Sequence, residues 1–102
     1  MLCAVTVRMI KPGGYESFRR AWEPEPWPPQ LARVLVTRNE QDPDQVLTAS
    51  FFDLPAGALD AARDDTEVLE AEESRLRRIA EYEDAVVFKG IFEVVEDLGP
   101  GG

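Results

Sequence analysis

Residues 2–10 alternate. Cys3, Val5, Val7 and Met9 fall on one side, and Ala4, Thr6 and Arg8 on the other. A period of two with β-branched residues predicts a strand, and Lys11-Pro12-Gly13-Gly14 breaks it. Tyr15, Phe18, Ala21 and Trp22 then recur at i, i+3, i+6 and i+7, one face of a helix. That helix ends near Glu23, because the proline at position 24 disfavours the α region for its predecessor. Pro24-Glu25-Pro26-Trp27-Pro28-Pro29 is a stiff linker, since its prolines fix φ and remove amide donors. Residues 32–38 and 45–53 are rich in β-formers, and the polar stretch Asn39 to Asp44 between them predicts a hairpin.

A second helix is expected from Leu54-Pro55, with Asp53 as N-cap and Pro55 at an early helical position. Ala58, Leu59, Ala62, Leu69, Leu76 and Ile79 supply its apolar stripe, and Glu73 and Arg77 stand in the favourable i, i+4 order. A break at Asp64-Asp65, with a restart at Thr66, would divide it into two helices. Tyr82-Glu83-Asp84 closes it. The last strand spans residues 85–95, with Val86, Phe88, Gly90, Phe92 and Val94 uncharged, and Val87, Lys89, Ile91, Glu93 and Val95 on the mixed side. The elements fill one domain over residues 1–98, and residues 99–102 form a flexible tail.

The order is β-α-β-β-α-β, which predicts a ferredoxin-like α+β fold. Right-handed crossovers place both helices on one face of a four-stranded antiparallel sheet with strand order 4-1-3-2. The other face must meet water, a ligand or a partner. If the uncharged sides of the strands face the helices, the far face carries Thr6, Arg8, Thr48, Ser50, Phe52, Lys89, Ile91 and Glu93. A slip of one residue reverses that assignment. Such a face either encloses a partly polar cavity against a second sheet or forms a structural interface whose charges pair with one another.

Charge narrows the partners. The net charge is −9, from 20 acidic and 11 basic residues. Residues 53–84 hold 11 acidic and 4 basic side chains, so one helical surface carries most of the excess. Nucleic acid and anionic membranes are excluded, because both need clustered Lys and Arg. The acidic surface reads as a solvated face or as a docking surface for a basic partner. No apolar run approaches the length of a membrane span, and the start reads directly as a strand, so a cytoplasmic location is expected. A single cysteine allows no internal disulfide.

The sequence contains no histidine. That removes Ser-His and Cys-His dyads, His-ligated zinc, the two-His-carboxylate iron site and His-ligated haem together. Glu70, Glu72 and Glu73 lie on different helical faces, so no metal site is expected. The candidate ligand-binding residues are Arg8, Trp22, Trp27, Ser50, Phe52, Lys89 and Glu93, and no catalytic residue is assigned. Arg8 on a central strand needs a partner, because an unpaired buried charge is costly. Glu93 is the natural candidate for an ion pair, and the other reading of Arg8 is an anion or phenolate anchor. Trp22 and Trp27 read either as an aromatic wall for a planar ligand, or as core and loop clamp. Cys3 has no basic neighbour in sequence and reads as a buried small hydrophobe.

From Leu2 to Asp97 the chain resembles the dimeric α+β barrel superfamily, and within it the antibiotic-biosynthesis-monooxygenase-like proteins. The features are the first strand ending in Lys11-Pro12-Gly13-Gly14, the following Tyr15-Glu16-Ser17-Phe18, and the hairpin segment Asp42-Pro43-Asp44-Gln45-Val46-Leu47-Thr48-Ala49-Ser50-Phe51-Phe52-Asp53-Leu54-Pro55. The resemblance implies a homodimer whose sheets form a barrel, with a cavity in each subunit between sheet and helices. Members include cofactor-independent oxygenases of polycyclic phenols, haem-degrading enzymes and isomerases. The haem-degrading members use a His ligand that this chain lacks. The quinol-type oxygenases resemble one another in an Asn, a Trp and an Arg near the cavity. Here Asn39 sits in a turn and the second helix has no Trp, so that set does not map residue by residue. The expected function is thus a monooxygenase-like small-molecule protein, the enzymatic form being cofactor-independent oxidation of a phenolic or other aromatic substrate. The alternatives are a non-catalytic dimeric ligand-binding or accessory domain, and a docking module using the acidic helix.

Overall fold

The computed structural model describes residues 1–59 and 66–100. The chain runs β1 (Leu2–Ile10), α1 (Tyr15–Trp22), β2 (Leu31–Asn39), β3 (Asp42–Phe52), α2 (Thr66–Ala80) and β4 (Glu83–Glu93). The strands form one antiparallel sheet in the order β2-β3-β1-β4, which is the expected topology. The fold is α+β and ferredoxin-like, a slab of 40 × 37 × 20 Å.

Element boundaries moved where backbone pairing outcompeted local turn chemistry. The hairpin turn narrows to Glu40-Gln41, and Asn39 pairs with Asp42. Asn39 accepts from the Gln41 amide at 2.8 Å and donates to Gln45 Oε1 at 2.7 Å. The residues that looked like loop are held inside the ladder. Pro43, which has no amide donor, falls where the β2–β3 register jumps, a place where a strand tolerates it. Leu54 and Pro55 are non-helical, a turn follows in which Gly57 has φ 82°, and the chain is helical at Ala58 and Leu59, a few residues after the expected start. Asp53 therefore caps no helix start there. Ala62 and the Asp64-Asp65 break lie outside the described residues, and α2 starts at Thr66. Tyr82 ends α2 with its amide on Ile79 O at 2.9 Å, while its carbonyl accepts from Lys11 N at 2.9 Å. Glu83 and Asp84 thus belong to β4.

Between β1 and α1, Gly13 has φ 72°, a left-handed conformation that costs glycine little. Gly14 then brings its amide to Lys11 O at 2.9 Å and offers its carbonyl to Phe18 N at 2.9 Å, starting α1.

The larger departure is the facing of the sheet. The side under the helices is Leu2, Ala4, Thr6, Arg8 and Ile10, not the uncharged Cys3-Val5-Val7-Met9 side. Ile10 and Val46 pack with Phe18 and Trp22 of α1 and Ile79 of α2 as one buried cluster. Register carries that facing across the sheet: Thr48, Ser50 and Phe52 oppose Thr6, Ala4 and Leu2, and Lys89 opposes Thr6. The outer face consequently carries Cys3, Val5, Val7, Leu35, Leu47, Phe88 and Phe92. Phe88 and Phe92 stack with centroids 6.0 Å apart. They close over Gly90, where an added Cβ would lie 3.1 Å from the Phe88 ring and 3.2 Å from the Phe92 ring. Burial pushes the Cys3 thiol pKa up, which keeps it protonated and suits the reading of a small hydrophobe.

α1 and α2 are joined by Arg78. Its Nε donates to Ala21 O and its Nη2 to Glu23 O, both at 3.2 Å, and its Nη1 reaches Ser74 Oγ at 3.0 Å. A cation on the last carbonyls of α1 satisfies groups a helix end leaves orphaned and complements the dipole. Among the described residues, Glu72 and Arg75 of α2 form an ion pair at 3.9 Å, and Glu73 and Arg77 do not pair.

Ile79 is fully buried where β1, β3 and both helices meet. Ile79→Ala is expected to lower unfolding stability by about 3 kcal/mol through lost transfer energy and a residual cavity. Urea denaturation followed by circular dichroism checks this.

Candidate functional site: a cavity between sheet and helices

The covered face is polar at its centre, and the helices do not fill the space above it. A cavity of about 520 Å³ lies there. Its floor is Ala4, Thr6 and Arg8 of β1 with Thr48, Ser50 and Phe52 of β3. Trp22 of α1 and Ala71, Glu72, Arg75 and Leu76 of α2 form the helical side. The linker from Pro24 to Gln30, with Trp27, closes one end, and Lys89 stands on β4. The volume falls within the range of small-molecule sites.

Arg8 is almost wholly buried, at 4% exposure. Its Nη1 donates to Thr48 Oγ1 at 3.3 Å, and its Nε lies 3.4 Å from Glu83 Oε2. The second contact is an ion pair without hydrogen-bond geometry, so Nε has no hydrogen-bond partner among the described residues. The guanidinium also sits over the Phe18 ring, 5.9 Å from its centroid. Burial lowers the Arg8 pKa and the Glu83 charge opposes that shift, which leaves an arginine still cationic under any ordinary condition.

The partner of Arg8 is Glu83, not Glu93. β1 and β4 are antiparallel, so Ile10 aligns with Glu83 and Leu2 with Glu93. Arg8, near the end of β1, meets the start of β4. A register shift between Val7 and Arg8 adjusts this end of the pairing. Glu93 is exposed and does not line the cavity. The other six candidates, Arg8, Trp22, Trp27, Ser50, Phe52 and Lys89, do line it. Trp22 is 2% exposed and Trp27 is 50% exposed. The two indoles therefore differ, one set in the core at the cavity wall and the other on the linker at its edge.

Sequence reasoning missed Arg75 and Arg78. Arg75 lies over the Trp22 ring, 5.3 Å from the centroid. Burial lowers its pKa most, and the charge of Arg8 lowers it further. The signal was available: Arg75 stands four residues before Ile79 and four after Ala71, so it falls on the inward stripe of α2. Arg78 positions the site indirectly, by fixing the end of α1 and the start of the proline linker to α2. Within that linker the Glu25–Pro26 peptide bond is cis. Its far end is anchored to the sheet by Asp53 N donating to Gln30 O at 2.8 Å.

Among the described residues no group of three or more Cys, Asp or Glu side chains could hold a metal ion, and no helix is long and apolar enough to cross a membrane.

The fold and cavity together define a ferredoxin-like α+β unit with a small-molecule-sized chamber between sheet and helices. No protein-family model matches the chain, and no curated protein sequence matches it. Solved structures do match. A "putative antibiotic biosynthesis monooxygenase" from Chloroflexus aurantiacus shares 16% identity over 98% of both chains, with a TM-score of 0.70. One of the same description from Bordetella bronchiseptica shares 11% identity over 93% of this chain and 97% of that one, TM-score 0.68. An uncharacterized NIPSNAP domain protein from Burkholderia xenovorans shares 18% identity over 98% of this chain and all of the other, TM-score 0.64. The chain shares the ferredoxin-like α+β fold of these structures, and at these identities the likeness is one of fold.

Glu83→Gln leaves Arg8 buried without its counter-charge. The expected cost is about 3 kcal/mol of unfolding stability, the size found on breaking a buried pair. An Arg8→Met, Glu83→Leu double variant is expected to recover most of it, and chemical denaturation of all three proteins measures the difference.

Proposed function

We propose that this chain is a monooxygenase-like small-molecule protein whose cavity takes a planar aromatic ligand. The observation that carries the reading is the 520 Å³ chamber walled by Trp22 and Trp27 above a floor of Thr6, Arg8, Thr48 and Ser50. Aromatic walls favour a flat apolar body, and a few hydroxyls and one buried cation fix its orientation. The reaction class to test is oxidation of an electron-rich phenol without a cofactor. In it the substrate supplies both reducing electrons, one oxygen atom of O₂ enters the product and the other leaves as water. The protein would contribute a desolvated chamber and a cation near the phenolate oxygen. Non-catalytic ligand binding is the second reading. It is favoured by the histidine-free composition and by the engagement of Arg8 with Glu83 and Thr48.

Two copies are proposed to pair through the outer sheet face. The chain exposes 6931 Å², against about 5,800 Å² for a compact monomer of this mass. Phe88, Phe92, Val87 and Leu35 contribute to that surface. β4 is also an edge strand with exposed apolar side chains on both sides, an arrangement that a free monomer pays for in aggregation.

Tryptophan fluorescence titrated with polycyclic phenols tests the cavity. Saturable quenching that weakens by about tenfold or more in Trp22→Ala, as expected when an aromatic wall is lost, supports it, and unchanged fluorescence refutes it. Oxygen consumption with the same phenols separates oxidation from binding alone. Sedimentation of the wild type is expected to give a dimer, and Phe92→Asp a monomer.

A further inference from the structure

The floor of the chamber changes character along the strands. Next to the packed cluster of Ile10, Val46, Phe18 and Ile79 it is polar, with Arg8 on β1 and Thr6 opposite Thr48. Two positions further along β3, Ser50 lies opposite Ala4. Two further again, Phe52 lies opposite Leu2 of β1 and Leu31 of β2. At a strand rise of about 3.4 Å per residue, the floor passes from hydroxyls to hydrocarbon over roughly 13 Å.

Both ends hold groups that nothing in the chain engages. The Thr48 hydroxyl accepts from Arg8, but the half-buried Thr6 and Ser50 line the chamber and make no side-chain hydrogen bond among the described residues. Thr6 and Ser50 are diagonal neighbours on one face of an antiparallel pair, within reach of a single polar group. At the other end Leu31, Phe52, Leu54 and Leu59 are only half-buried, and Leu76 is 38% exposed. All five line the chamber beside the proline linker. Apolar side chains that face one space and are each incompletely covered leave surface that an apolar guest would take out of water. The carboxylates lining this chamber from the linker and the start of α2, Glu25 and Glu67, are exposed and disfavour a second anion there.

We propose that the chamber takes an amphiphile of defined length, an uncharged alkyl-substituted phenol whose hydroxyl sits on Thr6 and Ser50 and whose aliphatic chain runs over Phe52 towards Leu31 and Leu54. The inference rests on the small-molecule reading above and adds to it the substrate class and a specificity-determining residue, Leu54. That residue follows the end of β3, and its amide donates to Phe52 O at 2.9 Å, so a tight turn holds it at the end of the floor. Beside it the Asp53 amide holds Gln30 O at 2.8 Å, which fixes the linker across the same end. A chain that reaches this end has no further apolar surface to gain.

The test is isothermal titration calorimetry of the full chain with 4-alkylphenols from ethyl to octyl. Affinity is expected to rise about fourfold per added CH₂, the transfer gain of one methylene, and then to level off. Leu54→Trp is expected to level off at a shorter chain and Leu54→Ala at a longer one, with 4-ethylphenol held within a few fold in both. Ser50→Ala is expected to weaken every member by about the same factor, roughly fivefold for one neutral hydrogen bond, without moving the levelling point. Circular dichroism confirms that each variant folds. Phenols that bind alike whatever their chain length overturn the amphiphile assignment and leave the aromatic chamber standing. A levelling point unmoved by either Leu54 variant overturns the role of Leu54. A rise that continues through octyl overturns the defined length, as expected of partition onto open apolar surface. Binding of no member overturns both this assignment and the use of the chamber for phenols.

Discussion

The ion pair between Arg8 and Glu83 is the constraint around which the rest of the molecule is arranged. An arginine 4% exposed on a central strand is tolerable only with an acceptor and a counter-charge at hand. Thr48 and Glu83 provide them on the helix side of the sheet. Because side chains alternate with a period of two, placing Arg8 under the helices sends Cys3, Val5 and Val7 outward. The strand's polar side is thus covered, and its apolar side is left open. This inverts the usual arrangement of a sheet with one covered face, and two consequences follow from it: the covered space is polar enough to remain a cavity, and the open face presents apolar side chains.

The cavity persists because of what surrounds it. Threonine, serine and alanine on the floor are short, so they do not reach the helices across the gap. Phe18, Trp22 and Ile79 fill one end of the interlayer space, together with Ile10 and Val46. At the other end the proline linker cannot fold into a helix that would pack down. It is pinned at one end by Arg78 on the α1 carbonyls, and at the other by the Asp53 amide. Its local stiffness and these two anchors hold Trp27 at the edge of the chamber.

Much of this was legible in the sequence. Alternation in residues 2–10, the Phe18/Trp22 stripe and the proline run each named their element, and the order of elements named the fold. The facing of the sheet was not legible, because both sides of β1 alternate equally well and only tertiary partners choose between them. The guess that charge faces outward is a fair rule for isolated side chains, but a paired arginine escapes it. Glu93 shares the mixed side of the last strand with Lys89, which makes it the natural partner of Arg8 in the sequence, while Glu83 reads there as the close of a helix. Antiparallel geometry decides otherwise, since residues near the end of β1 can meet only the beginning of β4. Arg75 went unnoticed because the apolar stripe of α2 was read from its leucines and Ile79, and a cation seated on that stripe was not sought. The hairpin turn was drawn too wide because Asn39, Pro43 and Asp44 favour turns locally, while cross-strand pairing holds them in the ladder.

The same placement of charge bears on whether the chamber does chemistry or only binds. A cofactor-free oxidation depends on raising the electron density of the substrate, which in an aromatic alcohol means forming the phenolate. A desolvated cation lowers the energy of that anion, but some group must take the proton. The chain has no histidine, and among the carboxylates lining the cavity Glu72 is the one paired with an arginine, the partly exposed Arg75 at 3.9 Å. Glu72 is held only loosely by Arg75 and is partly exposed, so it stands between the chamber and solvent. A ligand that arrives already ionised would need no such base. The distinction between an enzyme and a binding protein on this scaffold therefore reduces to whether the oxyanion is made inside the chamber or brought into it.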